Sequence, residues 1–148
     1  GELESLRQEL DADRPVPEAR PPRLSRVAFA AYSGPIDRDQ DGRHDLVRVY
    51  LRPLDQRGRF LPVAGRVVLQ VVRIEAGEQP RTLAEREYRP EDFEAAYRSN
   101  FLGTHYTLEL PLPDDLPEDY DELTVKVTLT DAATGAVHTA QQVFDLKR

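Results

Sequence analysis

The sequence predicts an all-β domain of about seven antiparallel strands in two sheets packed face to face. Three observations point there. From residue 23 onward, apolar residues recur at every second position. Clusters of Gly, Asp and Pro separate these runs at short intervals. The length, 148 residues, suits one hydrophobic core and leaves little room for two.

The elements follow in order. Leu3, Leu6 and Leu10 have helical spacing, with Glu2, Glu4, Arg7 and Glu9 on the other faces. Residues 1–13 therefore read as the end of an amphipathic helix or coiled coil that begins upstream; a lone terminal helix is the other reading, although such a length is marginal in water. Pro15, Pro17, Pro21 and Pro22 make residues 14–22 a stiff linker. The sandwich then occupies residues 23–148.

Within it, Val27, Phe29 and Ala31 alternate with Ala28, Ala30 and Tyr32. Val47, Val49 and Leu51 alternate with Arg48, Tyr50 and Arg52. The β-branched run from Val67 to Ile74 predicts a strand covered on both faces or one carrying a bulge. Leu83 to Tyr88 is charged and suits a sheet edge. Tyr106, Leu108 and Leu110 alternate with His105, Thr107 and Glu109. The clearest alternation sets Leu123, Val125, Val127 and Leu129 against Thr124, Lys126, Thr128 and Thr130. A last strand holds Val137, Thr139, Gln141 and Val143. One helix interrupts the pattern. Pro90 fits a first helical turn, Glu91 and Asp92 suit its positive end, and the helix should run to about Arg98. Phe93 and Tyr97, four apart, would pack it onto the sandwich.

Leu116-Pro117-Glu118-Asp119-Tyr120 and then Leu123-Thr124-Val125-Lys126-Val127 resemble the turn, tyrosine and penultimate strand of immunoglobulin-like sandwiches. The resemblance implies that Tyr120 pins the corner by bonding to upstream backbone. The inter-sheet cysteines and buried tryptophan of antibody-type domains are missing, as is ordinary for bacterial relatives. The string Asp41-Gly42, continuing through Leu46-Val47-Arg48-Val49-Tyr50-Leu51-Arg52-Pro53-Leu54-Asp55-Gln56-Arg57-Gly58, is similar to planctomycete envelope proteins that join an upstream helix to a C-terminal sandwich. That likeness spans residues 23–146. It implies a cell-envelope, periplasmic or extracellular setting and carries no activity.

Composition narrows function. A net charge of −7 disfavours nucleic acid, which needs a basic face. No apolar run reaches the roughly 18–20 residues of a membrane span. Zero cysteines exclude disulfides, thiolate metal sites and cysteine nucleophiles. The chain also lacks methionine, which fits a fragment or a processed form.

One cluster suggests chemistry beyond folding. Asp37, Asp39 and Asp41 sit where a calcium loop places its first three side-chain ligands, Gly42 where it turns, Arg43 where it offers a carbonyl, and Asp45 at its ninth position. Arg48 stands where the twelfth, bidentate glutamate belongs, and strands flank the loop, so this is no EF-hand. The expected site is a weak Ca²⁺ loop of Asp37, Asp39, Asp41, Arg43 and Asp45, with a Kd of about 10⁻⁴–10⁻³ M. The same residues also suit a plain acidic turn, with Gly42 at positive φ and Arg38, Arg43 and His44 partly neutralising it.

Catalytic patterns are weak. His44, His105 and His138 share no ligand spacing, and His105 and His138 are expected to face solvent. Ser33 precedes Gly34-Pro35 as a turn serine, and no Gly-x-Ser-x-Gly elbow occurs. Asp114-Asp115 and Glu118-Asp119 crowd one Pro-rich loop and read as solvated turn residues. Tyr50 between Arg48 and Arg52 suits a face that binds a partner or a glycan, or one covered by a neighbouring element. The expected function is a non-catalytic interaction or structural module of an exported or envelope-associated bacterial protein, not an enzyme. A carbohydrate-binding module is the alternative. Partners would be another protein, or a second copy through residues 1–13.

Overall fold

A computed structural model describes residues 21–40, 42–115 and 121–146. The expected helix at 1–13, most of the linker and Tyr120 lie outside these. Nine strands and one helix form among the described residues: β1 (Leu24–Phe29), β2 (Gly34–Ile36), β3 (Leu46–Asp55), β4 (Gly65–Arg73), β5 (Arg81–Tyr88), α1 (Pro90–Ala95), β6 (Tyr97–Asn100), β7 (Gly103–Pro111), β8 (Glu122–Asp131) and β9 (Val137–Asp145). All pairings are antiparallel. The first sheet runs β1-β3-β7-β6, with β2 also pairing β3; the second runs β5-β4-β8-β9. This strand order is that of an immunoglobulin-like sandwich.

Alternation produces the core. Val47, Val49 and Leu51 on β3 and Leu108 on β7 are fully buried, opposite Val67, Leu69 and Val71 on β4 and Val125, Val127 and Leu129 on β8. These aliphatic side chains occupy the inter-sheet space that antibody domains give to a disulfide and a tryptophan. Each buried Val or Leu contributes about 1.5–3 kcal/mol by removal from water. One glycine is dictated by close approach. A Cβ on Gly65 would press on the backbone oxygen of Thr130 and lie 2.9 Å from Leu129 Cδ1.

The run at β4 is buried on one face and mostly half-buried on the other, and the bulge lies on its partner β5, not on the run itself. Val71 pairs Ala84 and Val72 pairs Thr82, so Leu83 is the extra residue on β5. β5 is an edge strand, as its charges suggested.

Two expectations change. There are nine strands, not seven, because β2 and β6 are added. The helix stops at Ala95 rather than near Arg98. Its N-terminus carries half of a capping box: Asp92 Oδ2 accepts from the Arg89 amide at 3.0 Å, and the Arg89 guanidinium has no acceptor to return the bond. Tyr97 instead pairs Tyr106 on β7, and this tertiary pairing outweighs weak helix propensity. Phe93 stacks on Tyr106 with ring centroids 3.9 Å apart, and Tyr97 meets the same ring edge-on at 5.7 Å. Both expected anchors therefore meet the Tyr106 ring, but only Phe93 is buried; Tyr97 stays exposed.

Candidate functional site

The loop of residues 37–45 joins β2 to β3 and is closed by its own carboxylates. The Asp45 amide donates to the Ile36 carbonyl at 2.8 Å, continuing the hairpin. The Asp45 carboxylate accepts from the amides of Arg38 (3.0 and 3.1 Å) and Asp39 (3.2 Å). Asp37 Oδ2 accepts from the Gly42 amide at 2.9 Å. Gln40 and Gly42 take positive φ, 59° and 91°, which turns the chain back between these anchors.

This folding brings three predicted ligands together. One carboxylate oxygen from each of Asp37, Asp39 and Asp45 lies within 4.8 Å of the others. The Asp37 and Asp45 carboxylates keep lone pairs beyond their amide bonds, so the trio offers hard oxygen donors of the kind calcium takes. Asp41 lies outside the described residues. The Arg43 guanidinium reaches the Asp114 carbonyl oxygen at 3.3 Å. The Arg38 side chain, expected to help neutralise the turn, pairs with a carboxylate outside it. Its guanidinium crosses to Glu109 on β7, 3.1 Å away. The loop thus hangs on the sheet through Arg38, and the Leu112 amide donates to the Asp45 carbonyl at 2.9 Å. A shallow cleft of about 230 Å³ separates the loop from Leu112, Pro113 and Asp114.

The outer face of the first sheet packs on itself. Arg48 stands opposite Glu109 and holds its second oxygen at 2.7 Å, so two guanidinium groups share one carboxylate. Tyr50 does not stand as an open platform between arginines: its ring meets His105 edge-on, centroids 4.6 Å apart. His105 was expected in solvent, yet it is only 3% exposed. It does point outward, but Tyr50 from the next strand packs against it. Burial first, then the charges of Arg52 and Arg98, push its pKa below the usual histidine value. His138 also departs from expectation. It pairs Leu129, placing it on the inner side of an edge strand, half-buried. The three histidines therefore sit on separate elements: His44 in the acidic loop, His105 in the first sheet, His138 in the second.

One region carries chemistry that alternation alone did not reveal. β6 ends its pairing with β7 at Tyr97–Tyr106, so β7 beyond that point lacks a strand neighbour on this side. Side chains and the end of α1 take over. The Thr107 amide donates to the Ala96 carbonyl at 2.9 Å. The Tyr88 hydroxyl accepts from the Glu109 amide at 2.9 Å and donates to the Glu109 carbonyl at 3.2 Å. Arg86 donates to that same carbonyl at 3.0 Å and lies 4.3 Å from the Tyr88 ring centroid. Burial holds the Tyr88 phenol above its ordinary pKa, which keeps the proton needed for donation. Where β6 and the sheet part, an open cleft of about 370 Å³ forms, lined by Arg86, Tyr88, Asp92, Arg98, Thr107 and Glu109 among others. A charged residue near the end of an edge strand (Arg86) and another just past a helix (Arg98) were the only sequence signals for it.

No protein-family model matches the chain, and no curated protein matches it. Among solved structures, the chain is similar to a structure of murine CRIg, at 12% identity over 86% of this chain and 98% of that one, with a TM-score of 0.41. No helix among the described residues is long and apolar enough to cross a membrane.

Proposed function

We propose that this domain is a non-catalytic interaction module of an exported or envelope-associated bacterial protein, with a calcium-binding loop at one end. What carries the reading is the use made of polar side chains. Arg38 and Arg48 are fixed on Glu109, Tyr88 on the backbone of β7, and His105 beneath Tyr50. These groups build a rigid surface, and a rigid surface suits recognition. The envelope setting rests on the sequence resemblance alone. The calcium component rests on the gathering of Asp37, Asp39 and Asp45.

Thermal unfolding tests the loop, and a panel of chromogenic ester, phosphate and glycoside substrates tests the module. At 10 mM calcium, a Kd of about 10⁻⁴–10⁻³ M stabilises by about 1.4–2.7 kcal/mol. For a domain of this size the Tm then rises by about 4–12 °C. Asp39→Asn, which keeps an oxygen but removes the charge, should abolish most of that rise. An unchanged Tm removes the ion from the account. Turnover of any substrate in the panel contradicts the non-catalytic reading.

A further inference from the structure

We propose that the cleft between β5, α1 and β7 anchors an acidic segment of a protein partner, with Arg86 and Arg98 as the receiving groups. The inference rests on reading the domain as an interaction module and names the chemistry of what it binds.

The argument starts from charge. Although the chain carries −7 overall, this corner holds two arginines outside every ion pair among the described residues. Among the described residues, neither Arg86 nor Arg98 has a carboxylate partner within ion-pair distance, and both are exposed. Backbone carbonyls hold them in place instead. Arg86 bonds the Glu109 carbonyl, and Arg98 Nη1 bonds the carbonyls of Ala95 (2.8 Å) and Tyr97 (2.7 Å). A guanidinium has five N–H donors, so each keeps donors for a carboxylate. Fixing the side chains beforehand lowers the entropy lost on binding.

Two carboxylates also line the cleft, and both are already engaged. Glu109 holds Arg38 and Arg48. Asp92 accepts from the Arg89 amide and shares the Arg89 guanidinium (3.5 Å) with Glu91 (3.4 Å), so this pair of carboxylates on one cation balances the pair of cations on Glu109 and leaves Arg86 and Arg98 over. The charge left over is therefore positive. Thr107 adds a hydroxyl to the lining. The positive region continues past the cleft. Arg98 pairs His105 across the strands, and Arg52, which also lies beside His105, bonds the Thr104 carbonyl at 3.3 Å and has no ion-pair partner among the described residues. An extended acidic segment could place one carboxylate in the cleft and another toward Arg52. A lone small anion would use only the first.

The test is an NMR titration of the ¹⁵N-labelled chain with an end-blocked peptide of alternating Gly and Glu, beside its Gly–Gln analogue and inorganic phosphate. The Glu peptide should shift the amides of Arg86, Tyr97, Arg98 and Thr107, and the Gln peptide should not. Arg86→Gln/Arg98→Gln should weaken binding about tenfold, the sum of two exposed charge pairs. Arg86→Lys/Arg98→Lys should retain part of it, which separates lost charge from lost packing. Arg26→Gln, exposed on β1 at the far edge of the first sheet from β6, should change nothing. Equal binding by the Gln variant, shifts confined to other faces, or binding of phosphate without the peptide would each overturn the proposal. None of those results touches the module reading, which falls only to turnover in the substrate panel.

Discussion

Tyr88→Phe isolates the device that completes the first sheet. The substitution keeps the buried ring and deletes only the hydroxyl that stands in for a missing strand. In the parent, that hydroxyl satisfies the Glu109 amide at 2.9 Å, and Tyr88 itself is only 4% exposed. The Glu109 carbonyl keeps Arg86, so its loss is partial. The amide loses its partner. An unsatisfied buried donor costs about 1–3 kcal/mol, and Glu109 is half-buried, so about 1–2 kcal/mol is expected. With a urea m-value of about 1.5 kcal/mol/M, the midpoint should fall by about 0.7–1.3 M. Far-UV circular dichroism reads this, since the chain has no tryptophan. Amide exchange at Glu109 should quicken in the same variant. A midpoint within about 0.3 M of the parent, at unchanged m, would show that β7 does not depend on this hydroxyl.

Two further outcomes follow from the geometry. Gly65→Ala keeps an allowed backbone but drives a methyl group against the Thr130 carbonyl and Leu129, so it should cost about 1–3 kcal/mol in urea unfolding; a neutral result would mean that β4 and β8 separate freely there. The depressed pKa of His105 makes stability pH-dependent. The unfolded chain takes up the proton as pH falls through 6.5, the folded chain resists it, and stability drops below that pH. His105→Gln should flatten this decline above about pH 5.5, where carboxylates begin to contribute; an unchanged pH profile would mean that the imidazole is protonated freely in the folded state.

The four central strands were legible in the sequence because each buries one face completely. Val47, Val49 and Leu51, or Val125, Val127 and Leu129, leave a period of two that nothing else mimics. β2 was not legible, since three residues hold too little pattern. Nor was β6: all four of its residues are exposed, and only pairing with β7 makes them a strand. The acidic trio was readable because its ligands are local, set by spacing within one loop. The arginine cleft was not, because it depends on where β6 leaves β7, a non-local event. His105 teaches the same lesson at one residue. Alternation gave its direction correctly, but a neighbouring strand decided whether outward meant wet.

The central claim is that two face-to-face sheets, with β3 and β7 central in one and β4 and β8 in the other, hold a closed core and leave all binding chemistry outside it. Native-state hydrogen exchange by NMR tests this most directly. The slowest amides should fall in β3, β4, β7 and β8, including those of Val49, Leu69, Leu108 and Val127, and exchange near the global unfolding free energy. Rapid exchange at those four positions, with protection concentrated in the helix or in residues 37–45, would contradict it.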